Sequence, residues 1–182
     1  MENIKKFMFN SPSTAVICGP TSSGKTQLTY KIIENHEQLF TKKVDQIIWC
    51  YAVYQKEYEN FPNVTFHEGI LDVSKLDKTK HKVIILDDLM TEMNETVAKT
   101  FTVYSHHMNI SVFFITQNLF FKNKFMRDVS LNTQYLFLFA RRRDTQQIAV
   151  LATQMFPTQR KAFMETYKEE TSKKYCYLLY LN

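Results

Sequence analysis

The chain has 182 residues, of which 45% are hydrophobic, 14% are aromatic and only three are glycine. This composition is typical of a soluble globular protein with a sizeable core, and it excludes disordered, collagen-like and linker-rich chains. The formal net charge is +5, and all five arginines fall after residue 126. That asymmetry permits a nucleic acid partner, although a solvated basic face is the alternative.

Short apolar runs alternate with longer helix-like stretches. In chain order, the runs cover residues 14–19, 44–53, 83–88, 110–117, 134–140 and 174–181, and a further short strand is predicted within 61–70. Helical spacing predicts helices over 25–39, around 93–101 and over 145–168. Uninterrupted apolar runs are typical of strands buried on both faces. Their alternation with helices indicates one three-layer α/β domain, 1–182, with a mainly parallel sheet and a C-terminal antiparallel edge strand.

The loop after the first run carries a phosphate-binding pattern. Residues 19–26 match G-x-x-x-x-G-K-[ST], the Walker A motif, between a strand and a helix. The predicted nucleotide-binding residues are Gly19, Pro20, Thr21, Ser22, Ser23, Gly24, Lys25 and Thr26. Glycines let backbone amides approach phosphate oxygens, and the helix directs its positive end at them. We expect Lys25 to contact the β- and γ-phosphates of ATP and the Thr26 hydroxyl to ligate Mg²⁺.

Polar side chains end two other runs. Asp87 and Asp88 end the run 83–88, and Gln117 ends the run 110–117. Because ligands collect at the carboxyl ends of parallel strands, we expect these side chains beside the Walker A loop. Asp87 is predicted to hold Mg²⁺, Asp88 to orient the attacking water and Gln117 to sense the γ-phosphate. The alternatives are a helix-capping aspartate and a glutamine that only stabilises a turn.

Two basic segments follow the later runs. Residues 119–128 mix aromatic and basic side chains, a combination that suits contacts with nucleic acid phosphates and bases. A solvated amphipathic helix is the alternative for this segment. Arg141, Arg142 and Arg143 directly follow the run 134–140. They are candidates for stabilising transition-state charge, for contacting DNA phosphates, or for surface ion pairs with Asp144.

Residues 7–26, 83–88, 106–118 and 126–148, with the terminal strand, resemble the genome-packaging ATPases of the FtsK–HerA superfamily. The type most alike occurs in poxviruses, virophages and Polinton-like elements. The more specific shared features are the acid pair, the Thr-Gln-Asn at 116–118, and the spacing of Arg127, Ser130 and Asn132. The resemblance covers nearly the whole chain.

This resemblance implies a RecA-like P-loop NTPase core of the ASCE class and a homo-oligomeric ring, expected to be hexameric. It implies ATP-driven movement of double-stranded DNA into a capsid, with a capsid or portal vertex protein as partner. Arg127 is the first candidate for an arginine finger that acts on a neighbouring subunit, with Arg141–Arg143 in reserve. We expect an intracellular protein without stable membrane association, in the host cytoplasm or nucleus where virions assemble, or in the virion itself.

Two other functions share parts of this pattern. A small P-loop kinase that phosphorylates a nucleoside-like acceptor would share the Walker A motif and could use residues 141–144 as its lid. A nucleotide-gated assembly protein would bind ATP without hydrolysing it. Phosphate release that DNA stimulates without any acceptor would distinguish a hydrolase from both.

Overall fold

The computed structural model describes residues 7–89, 95–119, 129, 132–141 and 145–182. The described residues form one seven-stranded sheet. Its strands are β1 (Thr14–Cys18), β2 (Gln46–Tyr51), β3 (Val64–Glu68), β4 (Lys82–Asp87), β5 (Ile110–Thr116), β6 (Tyr135–Phe139) and β7 (Tyr177–Leu181). The spatial order is β3-β2-β4-β5-β1-β6-β7.

The pairing directions confirm the predicted sheet. Strands β1 to β6 pair in parallel, and β7 pairs antiparallel to β6, with Phe139 opposite Tyr177. Strand β5 lies between β1 and β4. The carboxyl ends of these three strands, which lead into the Walker A loop, Asp88 and Gln117, are therefore adjacent. The antiparallel direction of β7 brings its first residue to the same edge of the sheet, beside the end of β6.

Described α-helices form in all three predicted segments, but two of the three segments are divided. They are α1 (Lys25–Glu34), α2 (His36–Leu39), α3 (Glu95–Lys99), α4 (Ser105–His107), α5 (Gln146–Met155) and α6 (Arg160–Glu170), and a π-helical segment (Thr100–Tyr104) joins α3 to α4. The predicted helix 25–39 breaks at Asn35, whose side-chain amide donates to the Lys31 carbonyl at 2.8 Å. The predicted helix 145–168 breaks near Pro157, which has no backbone donor to continue a helix.

Side chains of the central strands are buried on both faces of the sheet. Along β5, Val112 and Phe114 belong to one hydrophobic core, and Phe113 and Ile115 belong to the other. This arrangement explains why the strand reads as an uninterrupted apolar run, and it confirms the predicted three layers.

The three cysteines are reduced in the structure. Cys18 and Cys50 are buried, Cys176 is half-buried, and none of the three forms a disulfide. Across the described ranges, each helix is too short or too polar to cross a bilayer.

Candidate nucleotide-binding site

The loop between β1 and α1 has the backbone geometry of a phosphate cradle. Ser22 and Gly24 adopt left-handed conformations, with φ of 60° and 106°. Gly24 is the N-cap of α1 and supplies no side-chain cap, so the first amide groups of the helix have no side-chain acceptor from that position. Free amides at a helix N-terminus, together with the helix dipole, favour a bound phosphate.

Gly19 is required for a different reason, the close approach of β6. A Cβ atom at position 19 would lie 2.6 Å from the Cβ of Phe139 and 2.7 Å from the Oγ of Ser23. Such distances are shorter than van der Waals contact. The two glycines of the motif therefore have separate tasks, since Gly19 makes room for the neighbouring strand and Gly24 supplies the turn.

Lys25 lies against the loop that it follows. Its Nζ donates hydrogen bonds to the carbonyl oxygens of Gly19 at 2.8 Å and Pro20 at 2.9 Å. Burial lowers the pKa of this ammonium, although the carboxylates of Asp87 and Asp88 act in the opposite direction. The positive charge of Lys25 is thus held inside the cradle. A bound phosphate would compete with the carbonyl oxygens of Gly19 and Pro20 for its hydrogen bonds.

Asp87 ends β4 as a buried carboxyl. Burial, reinforced by the Asp88 carboxylate, raises the pKa of Asp87 to about 6. The hydroxyl of Tyr58 donates to Asp87 Oδ2 at 3.5 Å, and Lys25 also favours the charged form. Tyr58 was not predicted from the sequence, because it lies in a polar stretch without a recognisable motif.

The oxygen donors at this edge suit Mg²⁺. The Thr26 hydroxyl lies on the first turn of α1 and is half-buried, and the Asp87 carboxylate is the kind of hard ligand that Mg²⁺ prefers. A cation beside Asp87 would offset the cost of burying its charge. The described residues contain no cluster of three or more His, Cys, Asp or Glu that could hold an ion alone. Mg²⁺ in nucleotide sites needs only one or two such ligands in addition to phosphate and water.

A hydrogen-bonded path joins the loop to the acid pair. The Thr21 hydroxyl donates to Gln117 Oε1 at 3.1 Å, and Gln117 Nε2 donates to Asp88 Oδ2 at 3.4 Å. Asp88 and Gln117 are both exposed at the sheet edge, where water can reach them. The sequence predicted that these side chains would be close together but not that Gln117 would connect the other two.

Asp88 has an unusual backbone conformation. Its φ is 53°, a left-handed value that costs a non-glycine residue on the order of 1–2 kcal/mol. Its amide donates to the Ile115 carbonyl of β5 at 3.2 Å, which fixes the residue beside the neighbouring strand. This turn separates the two carboxylates, so that Asp87 is buried while Asp88 faces solvent beside Gln117.

The arginines are placed differently. Arg127 lies outside the described residues, as do Arg142, Arg143 and the lysines of the segment 119–128. Arg141 is described, and its backbone amide donates to the Tyr167 hydroxyl at 2.9 Å. Its guanidinium acts on Cys18 of the same chain and opposes the rise in the pKa of that buried thiol. Arg141 therefore lies near Cys18, the last residue of β1 in the same chain.

A cavity of about 610 Å³ opens beside the cradle. One side is formed by the loop and α1, and the other by aromatic residues of β6, β7 and the turn before β7. Its lining includes Ser22, Ser23, Gly24, Lys25, Thr26, Gln27, Leu28, Lys31, Phe139, Tyr175 and Tyr177. The aromatic side was not predicted, because residues 174–181 are predicted as one continuous strand, whereas the strand begins only at Tyr177.

Comparisons with known proteins bear on the fold. The genome packaging NTPase B204 from Sulfolobus turreted icosahedral virus 2 has a similar structure. Its complex with AMPPCP matches this chain with a TM-score of 0.68, and its complex with ATP-gammaS matches with a TM-score of 0.63. Each is 15% identical and covers 93% of this chain and 92% of that chain. The protein has a P-loop NTPase fold. The resemblance to genome-packaging ATPases is confirmed at the level of the fold.

A second solved structure is similar over a smaller region. The cytoplasmic domain of the Thermomonospora curvata type VII secretion ATPase EccC matches with a TM-score of 0.51 and 11% identity, over 70% of this chain and 20% of that one. No protein-family model matches the chain. No curated protein matches it either.

Proposed function

We propose that the protein is an ATP-hydrolysing motor that moves double-stranded DNA into a viral capsid. The observation that carries the hydrolase assignment is the path from Thr21 through Gln117 to Asp88, which links the phosphate cradle to an exposed carboxylate. The fold likeness to a genome packaging NTPase over 93% of this chain supports the DNA-packaging role.

The chemistry follows from the placement of the side chains. Water attacks the γ-phosphorus and the bond to the bridging oxygen breaks, which yields ADP and inorganic phosphate, and the proton that the water loses is released to solvent. Lys25 neutralises charge on the β- and γ-phosphates, and backbone amides of the loop hold the β-phosphate. Asp88 accepts a hydrogen bond from the attacking water and orients it. Bound Mg²⁺, held by Thr26 and Asp87, supplies positive charge to the phosphate oxygens.

Gln117 would act as the γ-phosphate sensor. Its carbonyl oxygen accepts from the cradle and its amide donates to Asp88, so a phosphate that moves Thr21 also changes the support for Asp88. The glutamine would thereby allow full water activation only when ATP occupies the cradle.

The remaining parts of the proposal concern assembly. A ring, expected to be hexameric, would let Arg127 of one subunit reach the γ-phosphate of the next, and a capsid or portal vertex protein would dock it. Residues 119–128, with Lys122 and Lys124, would contact DNA phosphates. The site of action would be the host cytoplasm or nucleus where virions assemble.

One observation argues against the kinase alternative. Arg141 follows the end of β6 by two residues and acts on Cys18, at the end of β1 of its own chain. A kinase lid instead needs arginines on a segment that can close over the phosphates.

The test is phosphate release from ATP with and without double-stranded DNA, and with and without nucleoside acceptors. We expect release that needs no acceptor, rises with DNA and is abolished in Lys25→Ala. Release that requires an acceptor would support the kinase. ATP binding without any release would support a nucleotide-gated assembly protein.

A further inference from the structure

Tyr175 is an exposed aromatic side chain held at the mouth of the phosphate cradle. It is 57% exposed, although it lies in a cavity wall with the buried Phe139 and half-buried Tyr177. A Cβ atom at Gly24 would lie 3.3 Å from its Cδ1, so the ring edge lies close to the start of α1. Small-molecule cavities are commonly lined by aromatic side chains, and an exposed ring in such a lining offers its face to a flat ligand.

The backbone at Tyr175 is strained. Its φ is 68°, a left-handed value that aromatic residues rarely adopt. The turn is closed by the Cys176 amide, which donates to the Lys173 carbonyl at 3.4 Å, and β7 begins one residue later. An outlier that the surrounding structure maintains is a reason to look for a function at that position.

The topology explains why this turn reaches the loop. Strand β7 runs antiparallel to β6 and pairs Tyr177 with Phe139, the residue against which Gly19 packs. The turn before β7 therefore lies at the edge of the sheet where the cradle opens. The ring centroids of Phe139 and Tyr177 are 5.2 Å apart, so these two residues form a packed wall and Tyr175 projects beside it.

The opposite wall is polar. Gln27 and Lys31 lie on the exposed face of α1, one turn apart, and both line the cavity. Lys174 lies on the aromatic side instead, outside the cavity lining, with its Nζ 4.7 Å from the centroid of the Tyr175 ring. A volume of about 610 Å³ falls within the range of small-molecule sites. Flat aromatic ligands with polar edges fit a site with one aromatic and one polar wall.

We propose that the nucleobase of the bound nucleotide stacks on Tyr175, with its ribose between the cradle and the Gln27–Lys31 face of α1. This inference rests on the proposed ATP binding and identifies which part of the chain receives the base. Stacking gives affinity for any base, because every base has a π-face. The site would therefore accept both purine triphosphates.

The test measures dissociation constants by calorimetry for ATP, GTP and inorganic tripolyphosphate, which has no base. Tyr175→Asn removes the ring and tolerates the left-handed backbone, and it is expected to weaken ATP and GTP binding about tenfold to hundredfold. Tripolyphosphate binding should be unchanged. Tyr175→Phe keeps the ring and should retain near-normal ATP affinity. The matched control is Tyr54→Ala, which removes a 54% exposed tyrosine outside the cavity lining.

The outcomes separate this inference from the proposed function. If the wild-type protein binds neither ATP nor tripolyphosphate, the proposed ATPase fails. If it binds ATP and Tyr175→Asn binds it equally well, the base lies elsewhere and only the stacking proposal is overturned. Equal weakening of ATP and tripolyphosphate by Tyr175→Asn also overturns it, since the effect would then be on the loop. Loss of DNA binding with unchanged ATP affinity would assign Tyr175 to DNA.

Discussion

Gln117 and Asp88 form a contact of 3.4 Å between two exposed side chains, and an exposed contact of that length adds little to stability. We expect the contact to matter for catalysis instead, because Gln117 would act on the attacking water through Asp88. The two residues would then form one unit with the attacking water, and removal of either would disable the same step.

A double-mutant cycle with Gln117→Leu and Asp88→Asn tests this unit. Each single variant should bind ATP normally and lower kcat by about 10²-fold or more, as general-base catalysis typically contributes. The double variant should lose little beyond the more severe single variant, because coupled residues act non-additively. Gln154→Leu, an exposed glutamine on α5, is the matched control. Multiplicative losses in the double variant would show that the two residues act independently.

His81 is a buried histidine on the opposite edge of the sheet. It is 2% exposed, its Nε2 lies 2.9 Å from Ser111 Oγ and its Nδ1 lies 3.2 Å from the Lys43 carbonyl. Burial lowers its pKa, and the charge of Lys42 acts in the same direction while Asp45 opposes it. The folded protein therefore binds fewer protons at this position than the unfolded chain, whose histidine pKa is about 6.5.

This difference in proton binding makes the free energy of unfolding depend on pH. As the pH falls through about 6.5, the unfolded state takes up the proton first, so His81 makes the protein less stable toward pH 5.5. The raised pKa of Asp87 acts in the opposite direction over an overlapping range. Urea unfolding of wild type and His81→Asn at pH 7.5 and 5.5 separates the two contributions. Asp87 is present in both proteins, so its contribution cancels in the difference between them. The stability advantage of wild type should shrink at pH 5.5, and an advantage that stays constant would contradict the assignment.

At the scale of elements, the segment before β1 contributes more than its sequence indicates. Phe9 is 1% exposed, and its ring centroid lies 5.1 Å from that of Phe40 and 5.2 Å from that of Phe113. The Phe9 amide also donates to the Leu39 carbonyl at 2.7 Å. The segment thus closes the end of α2 over the sheet, although it contains no regular element that a periodicity search detects.

Phe9→Ala should lower the free energy of unfolding by about 3–5 kcal/mol, because it leaves a cavity in an aromatic cluster. Phe7→Ala is the matched control, since Phe7 is 38% exposed and should cost much less. Chemical denaturation of both variants measures the difference. Similar small losses in both would show that the segment does not pack as described.

Most elements were predictable, since buried parallel strands are apolar without interruption and the Walker A motif fixes one strand-to-helix junction. The breaks at Asn35 and near Pro157 were missed, because apolar spacing continues across both. At the site, Asp87, Asp88 and Gln117 could be placed at one edge from their positions at strand ends. The positions of Tyr58 and Tyr175 were not predictable, because only tertiary packing brings them next to Asp87 and the cradle.

At the scale of the whole molecule, the proposed ring makes each site depend on two subunits. An arginine finger is worth on the order of 10³–10⁵ in rate. Arg127→Ala should bind ATP normally and hydrolyse it poorly, and mixing it with Lys25→Ala should restore some activity. In a mixed ring, an intact cradle can meet an intact arginine on its neighbour. Subunit exchange without restored activity at any mixing ratio would contradict a finger at Arg127.

Movement along DNA is the central claim, and displacement of a third strand from a DNA triplex measures it most directly. A motor that tracks double-stranded DNA should remove the bound oligonucleotide in the presence of ATP and Mg²⁺. It should fail to do so with a non-hydrolysable analogue, and Lys25→Ala should be inactive. The account predicts ATP-dependent displacement whose rate falls as salt rises, because phosphate contacts are weakened by salt. DNA-stimulated hydrolysis by the assembled ring without any displacement would contradict it.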